Sequence, residues 1–182
     1  MTPADAVKDR ARADAASAPQ PIWRRPLDLV LVAFFSISVI YGFLFSLPEA
    51  LGVAVAPDSP WPPLRSLYGW AITQEPQHID PPPVLVASLL FDGFVQSPFL
   101  VVLVYALVRA REWIRAPALV YGGAAVLNMG FYFFQTLRGP APPPHPEVYL
   151  PFNLPWLIAP MVLVWRMWDA GPARFDRARE TR

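Results

Sequence analysis

One carboxyl group and one amide lie inside an apolar run of the sequence. Asp92 and Gln96 fall within residues 84–110, where almost every other side chain is apolar. Residues four apart share one face of a helix. A carboxyl at the centre of a membrane span costs about 2.5–3.5 kcal/mol on insertion scales, so it is expected to face the protein interior and to find a partner there. This pair therefore marks a candidate functional site.

Polar residues in three other apolar segments fall at a similar depth. Counted at about 1.5 Å per residue from the outer end of each segment, they and the Asp92 pair lie about 8–18 Å below the surface. The residues are Tyr41, Asn128, Asn153 and Trp156. Such a layer fits a ligand cavity in which Asp92 holds a polar or cationic head group between aromatic walls. It also fits hydrogen bonds that only join helices.

Three other ionisable residues are expected to lie in solvent or at the membrane interface. His78 and His145 fall in outer loops and are expected to be solvated. Arg166, near the end of the last segment, is expected to extend to the membrane interface. A proton pathway would need titratable groups at successive depths, and Asp92 is the only one found there. With two histidines and no cysteine, no metal site is predicted, and no motif calls for a cofactor.

Four apolar segments set the fold class. Each has the roughly 20 residues that a helix needs to cross a bilayer, and 54% of the chain is hydrophobic against about 45–50% in soluble domains. The segments are residues 27–47, 84–110, 116–137 and 148–168. We predict an all-α membrane protein built as a bundle of four transmembrane helices. The sequence "LRSLYGWAI" in loop 48–83 predicts a short interfacial helix, and Pro151, Pro155 and Pro160 predict irregular backbone in the fourth span.

The basic residues predict the orientation. All but two of the 15 lysines and arginines, the exceptions being Arg65 and Arg138, lie before the first span, at the turn between spans two and three, or at the end of the chain. By the positive-inside rule both termini face the cytoplasm. We expect mobile cytoplasmic tails at residues 1–22 and 170–182 around a membrane domain at 23–169. Because topology explains these cations, the net charge of +1 indicates no nucleic-acid partner.

The order of three motifs resembles the EXPERA family, which includes the emopamil-binding sterol isomerases, the sigma-2 receptor and the transmembrane-6 superfamily proteins. The motifs are "FDGFVQSPF", "WIRAPALVY" and "FNLPWLIAP", and the resemblance extends from about residue 24 to residue 168. It implies a deep pocket for sterols or amphiphilic amines. By this resemblance Asp92 and Gln96 match a pocket acid and glutamine, Asp80 matches an Asp-Pro before the second span, and Asn153 and Trp156 match an isomerase Asn and Trp.

The departures from the family restrict the function. The isomerases carry a His and a Glu on their first span, where this chain has Tyr41 and Phe45, and the first-span aspartate of the sigma-2 receptor is replaced by Ser46. Moving a double bond needs an acid and a base together, and Asp92 is left as the sole deep acid. We therefore expect a protein that binds a sterol-like lipid or a cationic amphiphile without transforming it.

Two alternatives remain open. The first is a sterol Δ8–Δ7 isomerase, and the second is a factor that stabilises or traffics another membrane protein. The sequence leaves the oligomeric state open, a homodimer included. The expected location is the cytoplasmic membrane if the source is bacterial, as the Ala, Pro and Arg bias favours, and the endoplasmic reticulum if it is eukaryotic.

Overall fold

Four long helices dominate the computed structural model, which describes residues 20–168. Each is long and apolar enough to cross a membrane: span one is Pro26–Ala50, span two Pro83–Val108, span three Glu112–Arg138 and span four Pro146–Trp168. The predicted all-α, four-span class is confirmed, and the bounds differ by a few residues from those expected. The tail at 170–182 and nearly all of the tail at 1–22 lie outside the described residues.

The spans form a closed ring. Spans one and two pack together, as do spans three and four, and further contacts join span two to three and span one to four. Short connections between spans two and three and between spans three and four make these pairs antiparallel neighbours. We call the end with the 109–111 connection the turn end, and the end with loop 51–82 the loop end. A surface helix, Pro62–Gln74, lies at the loop end where an interfacial helix was predicted.

The turn end holds the main apolar core. All four spans contribute to it, with side chains that are almost fully buried; Leu31, Phe35, Leu103, Leu107 and Leu163 are examples. Its glycines and alanines allow close approach, since a Cβ on Gly122 would meet the Val164 side chain. The described side chains of this half of the bundle are therefore tightly packed.

A buried ion cluster also ties the turn end together. Asp28 is 1% exposed and accepts hydrogen bonds from Arg25 Nη1 at 2.8 Å and from Arg166 Nε at 2.9 Å. Arg25 also donates to the carbonyl of Leu107 at 2.8 Å. The cluster joins spans one, two and four. The prediction that Arg166 extends to the interface is wrong, because a buried carboxylate offers it a stronger partner than headgroups or water.

Spans one and two each contain a π turn, at Gly42–Ser46 and Phe91–Gln96. The two turns lie against each other. A Cβ on Gly42 would overlap the Ser97 hydroxyl, and one on Gly93 would lie 2.8 Å from Leu47 Cβ. A π turn inserts one extra residue and often occurs at functional sites. Span four, by contrast, stays helical from Pro146 to Trp168 in spite of its three internal prolines. The irregular backbone predicted for this span is therefore not seen.

The outer surface of the bundle suits lipid. Only 22–33% of the most apolar window of each span is buried inside the protein, and an apolar surface of this extent is not stable in water. Trp23, Trp113, Trp165 and Trp168 are all more than half exposed at the turn end. Tryptophans gather in this way at the membrane–water interface. The chain is an integral membrane protein.

Candidate functional site

A cavity lies between the four spans in the loop-end half of the bundle. Its volume is about 40 Å³, and because one water needs about 10–15 Å³ by this measure, it has room for about three water-sized groups. Its walls are Ser38, Tyr41, Gly42, Ser46, His78, Leu89, Asp92, Gln96, Met129, Tyr132, Phe152, Asn153 and Trp156. No lysine or arginine contributes to them. The cavity therefore offers an acid, a histidine and neutral polar groups between aromatic side chains.

Asp92 is held in place by neutral amides. Its Oδ1 accepts hydrogen bonds from Gln96 Nε2 at 3.2 Å and from Asn128 Nδ2 at 3.3 Å. Gln96 is itself fixed, since its Oε1 accepts a hydrogen bond from Tyr121 at 2.9 Å. The π turn adds a further restraint, because the Ser97 hydroxyl donates to the Asp92 carbonyl at 2.8 Å. These contacts orient the carboxyl and leave Oδ2 without a hydrogen bond from any described residue.

Two hydroxyl groups on span one also have no hydrogen bond to a described residue. Ser46 is 1% exposed, and its Oγ has no hydrogen-bond partner within residues 20–168. It lies near Asp92, but no hydrogen bond of ordinary geometry joins the two. The Tyr41 hydroxyl likewise bonds to none of the described residues, while its ring stacks on Phe45 with centroids 4.9 Å apart. A buried polar atom without a partner is costly, and both groups line the cavity.

His78 also lines the cavity and is buried, with 4% of its surface exposed. Its Nδ1 is 2.7 Å from Glu49 Oε1, and its Nε2 is 3.2 Å from the Tyr132 hydroxyl. The prediction that His78 is solvated is wrong, because the loop folds back over the bundle. His145 is exposed as expected, at 57%.

The hydrogen bonds around His78 indicate its protonation. Tyr132 donates its single O–H to Glu75 Oε1 at 2.7 Å, so its oxygen accepts a hydrogen bond from a protonated His78 Nε2. The contact of Nδ1 with Glu49 then requires a proton on the second nitrogen. Burial opposes this charge, but the carboxylates of Glu49 and Glu75 outweigh it and raise the pKa of His78 above its ordinary value.

Glu75 anchors the loop to two spans and to the surface helix. Besides Tyr132, it accepts hydrogen bonds from Asn153 Nδ2 at 3.1 Å and from Trp70 Nε1 at 2.7 Å. Next to it, Gln77 donates to the Thr136 hydroxyl at 2.5 Å. With three donors on a side chain that is 2% exposed, Glu75 has little capacity left for a ligand. Its role is to hold the cover of the cavity.

The structure brings most of the sequence-predicted site residues together. Five of them line the cavity, namely Asp92, Gln96, Asn153, Trp156 and Tyr41. Asn128 lies behind the wall and acts through its hydrogen bond to Asp92. Asp80 is exposed and lies outside the cavity walls. No described residue donates a hydrogen bond to it.

Sequence reasoning missed Glu49, Glu75 and His78. All three lie outside the spans as they were predicted, where counting depth along a helix no longer applies. Glu49 gave one signal: it stands two residues beyond the predicted end of span one, and the helix in fact continues to Ala50. If span one had been predicted one helical turn longer at that end, Glu49 would have fallen at the edge of the polar layer.

The fold and the site define a class, that of integral membrane proteins with a polar cavity enclosed by four helices. The comparisons make this more specific. The model of the EXPERA (expanded EBP) superfamily matches residues 63–167, which is more than half of the chain. The chain belongs to this superfamily, as the motifs had indicated. No curated protein matches the chain.

Proposed function

We propose that the protein binds a hydrophobic amphiphile whose polar head enters the cavity and pairs with Asp92. The observation that carries this proposal is the free Asp92 Oδ2, set among aromatic rings in a cavity whose one cationic side chain, His78, is already paired with Glu49. A carboxylate in such a place is expected to pair with a charge. The described residues that donate to it, Gln96 and Asn128, are neutral, so the ligand supplies the positive charge.

The aromatic walls support a cationic head. Tyr41 and Trp156 have ring centroids 6.1 Å apart, and Phe152 and Trp156 are 5.7 Å apart. A cation near aromatic faces gains about 0.5–2 kcal/mol, with the larger values at desolvated sites. The small volume of the cavity limits the size of the ligand group that can enter it. A head group of a few atoms fits, whereas a sterol nucleus would have to separate the helices, so the apolar part of the ligand lies outside this cavity.

Binding of a long-chain dimethylalkylamine to the purified protein in nanodiscs tests the proposal. Asp92→Asn is expected to weaken binding at least tenfold, because a charged hydrogen bond contributes about 1.5–3 kcal/mol. Asp80→Asn is the matched control, since it removes an exposed carboxylate and should leave affinity unchanged. Equal affinities for wild type and Asp92→Asn would refute the anchor role. Native mass spectrometry from mild detergent adds a direct readout: a retained amphiphile supports the binder, and a retained protein supports a trafficking factor.

A second candidate is an isomerase-like enzyme, favoured by the buried Glu49–His78 pair. This pair supplies an acid within the same cavity as Asp92, which restores the acid–base combination that span one lacks. The cavity volume weighs against it, because the substrate rings would have to fit between the two groups. Incubation with a Δ8 sterol separates the candidates: migration of the double bond that depends on His78 favours the enzyme, and its absence favours the binder.

A further inference from the structure

We propose that the head group selected by the cavity is a primary ammonium, a conclusion that rests on the proposed role of Asp92. Several oxygens of residues that line the cavity accept no hydrogen bond from a described residue, namely Asp92 Oδ2, Ser46 Oγ, the Tyr41 hydroxyl oxygen and Asn153 Oδ1. A primary ammonium carries three N–H donors and no acceptor. A primary ammonium therefore supplies more donors to these oxygens than any methylated ammonium does.

Other head groups match the site less well. A quaternary ammonium has no N–H group, so none of these oxygens would gain a partner from the ligand that encloses them. A tertiary ammonium offers one N–H group, and an alcohol offers one O–H group without a charge for Asp92. Because an enclosed polar atom without a hydrogen bond costs about 1–3 kcal/mol, each missing donor lowers affinity.

The burial of Ser46 is the strongest single support. Its hydroxyl is 1% exposed and without a partner, although it lies in the π turn next to the one in span two that carries Asp92. Most buried hydroxyl groups in proteins are hydrogen-bonded. The other cavity serine, Ser38, follows this rule and donates to the carbonyl of Phe34 at 3.0 Å. Ser46 thus lies beside the Asp92 carboxyl with its hydroxyl unpaired among the described residues.

Volume gives a second, independent reason. The cavity holds about three water-sized groups beside Asp92, and an ammonium is about the size of one water. Each N-methyl group adds a volume similar to that of a further water. A trimethylammonium would fill the space and press on walls such as Met129 and Tyr132, and overpacking of this kind is itself unfavourable.

The test compares three probes of equal chain length against the full-length protein in zwitterionic nanodiscs: dodecylamine, N,N-dimethyldodecylamine and dodecyltrimethylammonium. At pH 7 all three carry a positive charge, and empty nanodiscs correct for partition into lipid. We expect dodecylamine to bind at least tenfold more tightly than the trimethyl compound. Ser46→Ala should reduce this ratio several-fold. Ser36→Ala is the matched control, since its hydroxyl bonds to the Val32 carbonyl at 2.7 Å outside the cavity, and should preserve it.

The outcomes separate this inference from the function on which it rests. Equal affinities for the three amines, all lost in Asp92→Asn, would overturn the primary ammonium and keep the amphiphile binder. Amine binding that does not change in Asp92→Asn would overturn both. A preference for dodecylamine that Ser46→Ala leaves intact would overturn the assignment to these oxygens.

Discussion

The contact between His78 and Glu49 should be a main source of stability at the loop end. The two side chains are 4% and 3% exposed, and their atoms are 2.7 Å apart. His78→Ala would leave a buried carboxylate without its cation, and breaking such a pair costs about 3–5 kcal/mol. For a chain of this length the melting temperature should fall on the order of 10 °C.

Tryptophan fluorescence during heating in detergent measures this effect, because the chain has seven tryptophans. His145→Ala is the matched control. That histidine also contacts a glutamate, at 3.2 Å, but both side chains are largely exposed, so no change in melting temperature is expected. The double variant Glu49→Gln with His78→Gln should lose less than His78→Ala, since it leaves no unpaired charge. If His78→Ala and His145→Ala melted at the same temperature, the reasoning would be refuted.

The same pair predicts how stability depends on pH. The folded pKa of His78 lies above its unfolded value of 6.5, so the contribution is complete below about pH 6.5 and is lost as the pH rises through the folded value. The charged or titratable groups that face the imidazole are Glu49 from span one, Glu75 from the loop and Tyr132 from span three. Melting curves should therefore shift to lower temperature on the alkaline side in wild type and much less in His78→Gln.

Three further variants test other parts of the structure. Gly42→Ala should destabilise the protein by about 1–3 kcal/mol because its Cβ would overlap a side chain of span two; Gly123→Ala, with open space around it, should be neutral or slightly stabilising in the same melts. Asp28→Asn should cost about 3–5 kcal/mol, since two buried arginines lose their carboxylate; a melt equal to that of wild type would contradict this. The chain contains no cysteine, which allows a topology test. An impermeant maleimide should label Asp58→Cys in intact cells and Glu112→Cys only after permeabilisation. The reverse labelling pattern would invert the predicted orientation.

The sequence predicted the spans well because their signal is local. Twenty consecutive apolar residues have one stable arrangement in a bilayer, whatever the remainder of the chain does. The polar layer was partly predictable for the same reason, since depth follows from position along a helix. Asp92, Gln96 and Asn153 were placed at one level by counting residues, and the structure has them at one cavity.

The remainder depends on contacts between segments distant in sequence. His78 and Glu49 are 29 residues apart, and Asp28 and Arg166 are 138 apart. Each of these residues, taken alone near the end of a span, has water or headgroups as a plausible partner, so burial was not predicted. The π turns also depend on a contact between distant segments. The extra residue that each contains is stabilised by the packing of Gly42 against Ser97 across the two helices.

The buried carboxylates of this chain can be compared with one another. Asp28 lies between two arginines, Glu49 contacts a protonated histidine, and Glu75 accepts three hydrogen bonds beside that same histidine. Asp92 differs from them all: two amides orient one of its oxygens, and no described residue of positive charge reaches the other. The other three show that this chain neutralises or fully bonds the acids that it uses for packing. An acid that is oriented but left without a cation, next to two free hydroxyl groups, is better explained by a positive charge that comes from a ligand.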